Sequence, residues 1–113
     1  MLLEKNELPD WFEYPDEINI LIEQNLLDFD PWIILTKDRL KSRFVGVQQR
    51  YPNRDLVPFA RREDNDDIAC WEKGKEVVII HDFASKGYEG GKDSTPFWNW
   101  LRQAVEDMIE HNS

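Results

Sequence analysis

Four acidic side chains lie within five consecutive residues, between two short apolar runs: Glu63, Asp64, Asp66 and Asp67. Such carboxylates can bind a metal ion, exchange protons in catalysis, or carry charge to the surface in a turn. A calcium loop requires further alternating oxygen ligands and a glycine, but Ile68 occupies the third ligand position. A catalytic pair requires that one carboxylate be desolvated. Since Asp and Asn stabilise turns through hydrogen bonds to the nearby backbone, the pattern predicts a charged turn.

Histidine and cysteine supply the other candidate reactive groups. His81 and Asp82 are neighbours in an expected strand, so their side chains point to opposite faces and cannot pair as a base and its orienting carboxylate. We expect His81 to be a hydrogen-bonded structural histidine and Cys70 to be an inert buried thiol. A small hydrolase using Asp66, Asp67 and His81 is therefore the least favoured interpretation.

A glycine-rich stretch, residues 85–94, lies between an expected strand and an expected helix, where phosphate-binding loops occur. The phosphate-binding motif needs a glycine five residues before its Gly-Lys pair and a serine or threonine directly after it. Here Lys86 and Asp93 hold those positions. Nucleotide binding is therefore not expected, and the sequence predicts no cofactor and no bound metal.

Charge is distributed unevenly along the chain, whose formal net charge is −9. Residues 1–30 carry −8, residues 37–62 carry +6 and residues 63–113 carry −7. An acidic protein repels nucleic acid and anionic membranes and attracts basic partners. We expect the basic segment to neutralise acids in neighbouring elements rather than to form a phosphate-binding face, since a sequence segment is not a surface patch.

The size and composition are those of one globular domain. The chain has 113 residues, 41% of them hydrophobic, with five tryptophans, which is enough for an ordinary core. Cys70 is the single cysteine, so an internal disulfide is impossible. The first residues do not resemble a signal peptide, and no apolar stretch approaches the roughly 20 residues of a membrane span. We therefore expect a cytoplasmic protein.

Apolar spacing predicts three helices. One is expected to begin near Pro15, which two acids follow, and a second after Thr36, which can cap it. The last is expected to open with Thr95 as the cap and Pro96 at the first helical position. The expected inward-facing residues are Ile18, Leu21 and Ile22, then Leu40, Phe44, Val47 and Tyr51, then Phe97, Leu101, Ala104, Val105 and Met108, flanked by Trp98, Trp100 and Ile109.

Short apolar runs predict four strands, at residues 32–35, 56–59, 68–71 and 77–83. The sequence Lys73-Gly74-Lys75 between the last two is typical of a hairpin turn. Because residues 77–80 are apolar on both faces, we expect that strand to be central in the sheet and covered on both sides.

A Pro-Phe-Ala strand is followed by the acidic turn, a Cys-Trp strand end, a His-Asp-Phe segment and an aromatic-rich C-terminal helix. These motifs, within residues 56–108, resemble the Smi–Knr family of the SUKH superfamily. The resemblance implies one domain, residues 1–113, of the α+β class: a twisted antiparallel β-sheet packed by α-helices. It implies structural roles for the residues that match the motifs, which are Pro58, Phe59, Ala60, Cys70, His81, Phe83, Phe97, Trp98 and Trp100.

Bacterial domains of this family are similar to immunity proteins, which bind and block toxins of the nuclease or deaminase type. Related fungal domains regulate cell-wall glucan synthesis through protein contacts. The resemblance therefore implies a non-catalytic protein-binding domain, with an immunity protein as the first hypothesis and a regulatory interaction module as the alternative. The expected partner is a basic toxin domain whose active site is occluded, and the expected state is a monomer or a weak homodimer.

Candidate contacts with such a partner are the carboxylates in and near the acidic turn, with an aromatic anchor. An acidic protein associates quickly with a positive surface, and aromatic side chains often dominate binding energy. We expect the double substitution of Asp66 and Asp67 by alanine to abolish binding without changing the melting temperature. The candidates are Glu63, Asp64, Asp66, Asp67, Asp82 and Glu89, with Trp71 or Tyr88 as the anchor.

Overall fold

The computed structural model describes residues 1–81 and 94–113. Within this part of the chain, a short 3₁₀-helix spans Lys5–Glu7 and is followed by three α-helices, with two strands between the first and second and three between the second and third. The helices are α1 (Asp16–Glu23), α2 (Lys37–Arg50) and α3 (Phe97–Asn112), and the strands are β1 (Asp28–Phe29), β2 (Trp32–Ile34), β3 (Leu56–Arg62), β4 (Asp67–Glu72) and β5 (Val77–His81).

The five strands form one antiparallel sheet in the order β1-β2-β3-β4-β5. Each strand pairs with its neighbour in sequence; short turns join β1 to β2, β3 to β4 and β4 to β5, whereas α2 lies between β2 and β3. In the predicted turn between β4 and β5, Gly74 has a φ of 78°, a left-handed conformation that glycine adopts at little cost. The expected α+β class, with an antiparallel sheet and an aromatic-rich C-terminal helix, is confirmed.

Helices α1 and α3 pack against one face of the sheet. Ile18 and Leu21 of α1 and Phe97, Trp100 and Ala104 of α3 belong to the same buried cluster as sheet residues. Trp100 lies inside this cluster and is 3% exposed, whereas the sequence placed it at the flank of the helix. The sheet residues of the cluster are Phe29, Trp32, Ile34, Val57, Phe59, Ala60, Ala69, Trp71 and Val77.

Helix α2 packs against the other face of the sheet. Val47 of α2 and Tyr51, which directly follows the helix, join a second buried cluster with sheet residues from β3, β4 and β5. The Tyr51 hydroxyl also donates a hydrogen bond of 2.7 Å to the backbone carbonyl of His81, which ties the end of α2 to the end of β5. The sheet residues of this cluster are Leu56, Ile68, Cys70, Val78 and Ile80.

A bulge in β3 decides which side chains of that strand reach each helix layer. Pro58 lies opposite Cys70 and Ala60 lies opposite Ala69, so Phe59 is an extra residue in β3. Phe59 and Ala60 therefore both belong to the cluster beneath α1 and α3. An extra residue shifts the alternation of a strand by one position. The bulge therefore decides which of the two consecutive arginines that end β3 faces each helix layer.

The 77–80 run, which the sequence predicts to be a central strand covered on both sides, forms β5 and is covered on both faces. In the part of the sheet that the structure describes, β5 is the last strand in the order. Its residues Val78 and Ile80 face the α2 layer, while Val77 and Ile79 pack in the cluster of α1 and α3. Helices cover both faces of the sheet at this strand, which accounts for its apolar residues on both faces.

The start of α3 differs from the predicted cap, whereas the start of α2 matches the prediction in position. Helix α3 begins at Phe97 with Pro96 at the cap position, because Thr95 instead exchanges backbone hydrogen bonds of 2.9 Å with Val77. Thr36 does occupy the cap position of α2, but its side chain makes no capping hydrogen bond.

A partly buried ion pair beside the β4–β5 turn gives a testable pH dependence. The guanidinium of Arg54 donates two hydrogen bonds of 2.9 Å to the Glu72 carboxylate and is the main cause that lowers the Glu72 pKa below its usual 4.5. A lowered pKa stabilises the fold above the unfolded pKa, and this stabilisation is lost as the pH falls through the folded value. Glu72→Gln should therefore lower the unfolding free energy by about 1–2 kcal/mol at pH 7.

This difference between wild type and Glu72→Gln should shrink from about pH 5 downward, as measured by urea denaturation at a series of pH values. Glu76→Gln is the matched control, since Glu76 is exposed in the same turn, and it should change stability little at any pH. A Glu72→Gln difference that persists undiminished at pH 3 would contradict the assignment of the stabilisation to the ionised pair.

Candidate protein-interaction site

The acidic run forms an exposed turn between β3 and β4. Glu63, Asp64 and Asp66 are exposed, and the intervening Asn65 accepts a hydrogen bond of 2.8 Å from the backbone amide of Asp67. This bond is the type by which Asn stabilises a turn. The prediction of a charged turn is confirmed. Three carboxylates therefore extend from the tip of a β-hairpin into solvent.

A second acidic turn, between β1 and β2, lies directly beside the first. The backbone amide of Glu63 donates a hydrogen bond of 2.8 Å to the carbonyl of Pro31, which holds the two turns together. Asp30 precedes that proline and is also exposed. We call the exposed carboxylates of these two turns the acidic end of the molecule: Asp30, Glu63, Asp64 and Asp66.

The C-terminal part of α3 closes this group from the side. The His111 ring lies 3.8 Å from an Asp30 carboxylate oxygen and 4.0 Å from one of Asp64. The Asn112 side chain donates a hydrogen bond of 3.1 Å to the backbone carbonyl of Asp30. Both turns are thus in contact with the helix, so the acidic end rests on packed secondary structure.

Arg62 partly neutralises the acidic end and connects it to the protein interior. Its guanidinium donates hydrogen bonds of 2.6 and 3.2 Å to Asp64 and one of 3.3 Å to Asp107. The hydrogen bond from Arg62 is the main cause that lowers the pKa of Asp64, and the same bond raises the pKa of Arg62. Asp64 therefore stays ionised well below neutral pH, and Glu63 and Asp66 are exposed beside it.

Asp67 and His81 lie opposite each other in β4 and β5, and the Asp67 carboxylate contacts Nδ1 of the imidazole. The expected hydrogen-bonded histidine is therefore present, although its side chain is 49% exposed at the sheet edge. The partner is Asp67. A carboxylate can orient an imidazole for proton transfer, but Cys70 lies in the α2 layer, on the other face of the sheet.

Trp71 is not a surface anchor, and that expectation is wrong. The ring is 8% exposed and stacks on Phe59 with a centroid distance of 4.4 Å. It also contacts Phe97 and Phe12. Strand β4 places Trp71 on the face that α1 and α3 cover, so the ring contributes to the core. Trp98 on α3, in contrast, is 43% exposed.

The remaining residues that the sequence singled out lie either in the core or in the segment that the structure does not describe. The motif residues Pro58, Phe59, Ala60, Cys70, Phe97 and Trp100 are buried. Asp82, Phe83, Tyr88 and Glu89 lie outside the described residues. Of the predicted contacts, the structure brings together Glu63, Asp64 and Asp66 at the surface, and Asp67 with His81 at the sheet edge.

Sequence reasoning missed Asp30, Asp107 and His111. Asp30-Pro31 is a typical turn sequence, but its position beside the 63–66 turn depends on the pairing of β2 with the end of β3. Asp107 is one of several polar residues of an amphipathic helix, and nothing in the sequence distinguishes it from the others. No local sequence signal reports such contacts, since they join residues far apart in the chain.

The described residues also bear on metal binding and on membrane crossing. Within residues 1–81 and 94–113, no group of three or more His, Cys, Asp or Glu side chains is placed to hold a metal ion. Of the helices in that same part of the chain, none combines the length and the apolar character that crossing a bilayer requires.

Comparisons with protein-family models, with curated proteins and with solved structures found no match to this chain. The resemblance to the Smi–Knr family therefore stays a prediction from the motifs within residues 56–108.

Proposed function

We propose that this chain is a non-catalytic, cytoplasmic protein-binding domain that binds a basic partner through the acidic end. The observation that supports the proposal is the convergence of four exposed carboxylates from two adjacent turns: Asp30, Glu63, Asp64 and Asp66. The partner that fits this surface, and that the motifs imply, is a basic toxin domain that the protein neutralises by covering its active site.

Charge complementarity between the acidic end and a basic partner supports this proposal. A nuclease-type active site presents positive charge to its substrate, and an acidic protein that covers it replaces the phosphates there. Complementary charges raise the association rate and favour the right partner more than they add raw affinity. The net charge of −9 acts in the same direction over the whole molecule.

The geometry also favours binding without a large rearrangement. The hydrogen bond between Glu63 and Pro31 and the contacts of His111 and Asn112 fix the two turns against α3. Preorganised side chains lose less conformational freedom when they bind. An inhibitor that acts by occlusion binds more tightly through such a surface, because no loop has to become ordered on binding.

Two alternatives have distinct signatures. A regulatory interaction module would use the same surface with several partners. A hydrolase using Asp66, Asp67 and His81 is favoured only by the contact between Asp67 and His81. In that case hydrolysis of a generic ester or phosphodiester substrate would be lost in a His81→Gln variant, whereas binding through the acidic end would be retained.

The test is capture of partners from the host lysate, with wild type and two charge-reversed variants as bait. Glu63→Lys with Asp66→Lys alters the acidic end. Glu13→Lys with Glu76→Lys makes the same charge change beside the β4–β5 turn, at the opposite end of β4. We expect one basic partner, bound by wild type and by the control and lost from the first variant.

The captured partner is then purified and its association rate is measured. We expect the acidic-end variant to associate about tenfold more slowly, and the wild-type rate to fall with added salt. Equal loss in both variants would show that net charge, and not the acidic end, governs binding. Many partners, none of them basic, would favour the regulatory module.

A further inference from the structure

A basic groove lies on the α2 side of the sheet and borders the acidic end at Glu63. Arg39 and Arg43 extend from α2, and Arg61 extends from β3. Ile33 and Leu35 provide apolar lining, and Ser42 adds a hydroxyl group. We call this the arginine groove. It brings three positive charges together in a protein whose net charge is −9.

The groove follows from the bulge in β3. Because Phe59 is an extra residue, Arg61 faces α2 while Arg62 faces α3 and binds Asp107. Neither Arg39 nor Arg61 forms a salt bridge with another side chain of the described ranges. As the sequence predicts, other bases of segment 37–62 do pair with acids of neighbouring elements: Lys41 with Glu7, Arg54 with Glu72 and Arg62 with Asp107.

We propose that the arginine groove binds a small organic anion, whose single phosphate or carboxylate group meets the guanidinium groups of Arg39 and Arg61. The planar guanidinium donates paired hydrogen bonds that match both kinds of oxyanion. An apolar portion of the ligand lies on Ile33 and Leu35. The volume of the groove is about 430 Å³, within the range of small-molecule sites.

Two carboxylates restrict the class of ligand further. Asp38 and Glu63 also line the groove, and like charges repel a second anionic group placed near them. A ligand with one oxyanion and a neutral body fits this arrangement. A polyanion such as nucleic acid or an extended acidic peptide would meet both carboxylates and is disfavoured.

The test uses phenyl phosphate and benzoate as probes, with phenol as the uncharged control. Binding is followed in two-dimensional ¹H–¹⁵N spectra that include the arginine side-chain signals. We expect at least one anion to bind and to shift the Arg39 and Arg61 side-chain resonances, while phenol causes no comparable shift. A preference between the anions identifies which oxyanion the groove accepts.

Variants locate the binding. Arg39→Gln and Arg61→Gln should each raise the dissociation constant about tenfold. Arg102→Gln removes the same charge from the exposed face of α3 and should change nothing. Arg39 is exposed on a helix, so its variant is informative even if Arg61→Gln folds poorly. The proposal fails if neither anion binds, if phenol binds equally well, or if Arg102→Gln weakens binding as much as Arg39→Gln.

Discussion

Replacing Phe59 with alanine should lower the free energy of unfolding by about 3–5 kcal/mol, the usual cost of removing a buried aromatic ring. Phe59 is 1% exposed. Its ring centroid lies 4.4 Å from that of Trp71, 4.8 Å from Trp100 and 5.5 Å from Phe97. Alanine would leave a cavity between β4 and α3 that these large rings cannot fill without leaving their own contacts.

Urea denaturation followed by circular dichroism measures this loss. Trp98→Ala is the control, because it deletes a larger ring from the same helix-side region. Trp98 is 43% exposed and contacts Phe97 at a centroid distance of 5.5 Å, so its loss should cost less than about 1 kcal/mol. Equal destabilisation by the two substitutions would show that the cluster around Phe59 is not the centre of the core.

The helices and most of the sheet could be predicted because their information is local. The face of α2 that contains Leu40, Phe44, Val47 and Tyr51 was predicted, and all four are buried or half-buried. Apolar residues at helical spacing must share one face, whatever the rest of the chain does. The turn at residues 73–75 could be predicted equally well, because its central glycine is typical of a turn.

The bulge at Phe59 could not be predicted from the local sequence. A strand pattern of period two assigns faces by alternation, but a bulge interrupts the alternation without a clear sequence signal. For a related reason, the sequence could not show which of Trp71 and Trp98 is buried. Both are tryptophans in apolar surroundings, and which one lies inside depends on how α3 packs against the sheet.

The acidic end was predicted in part for the same reason. The turn at 63–66 is encoded by its own residues, as the hydrogen bond from Asp67 to Asn65 shows. Asp30 joins it only because β2 pairs with the last residues of β3, where Trp32 lies opposite Arg62. That pairing is between segments almost thirty residues apart, and no charge pattern in the sequence reports it.

Asp107 should be the polar residue whose loss destabilises the fold most clearly. Its carboxylate accepts hydrogen bonds of 3.0 Å from the Trp32 indole, 3.3 Å from Arg62 and 3.0 Å from Gln103. Asp107→Ala leaves the indole N–H of a residue that is 4% exposed without its acceptor. We expect a loss of about 2–4 kcal/mol in unfolding free energy, because an unsatisfied buried donor and a broken partly buried ion pair both contribute.

Asp107→Asn separates these two contributions. The amide oxygen can still accept the Trp32 hydrogen bond, while the charge that attracts Arg62 is gone, so the expected loss is smaller, about 1–2 kcal/mol. Gln103→Ala, which removes the exposed third partner, should cost less than about 0.5 kcal/mol. Denaturation curves that rank Asp107→Asn as severely as Asp107→Ala would mean that the ion pair, rather than the indole hydrogen bond, fixes α3 to the sheet. Arg62→Met removes the same ion pair, so it should then lower the unfolding free energy as much as Asp107→Ala does. If it does not, the acidic end is held to α3 by the contacts of His111 and Asn112 alone.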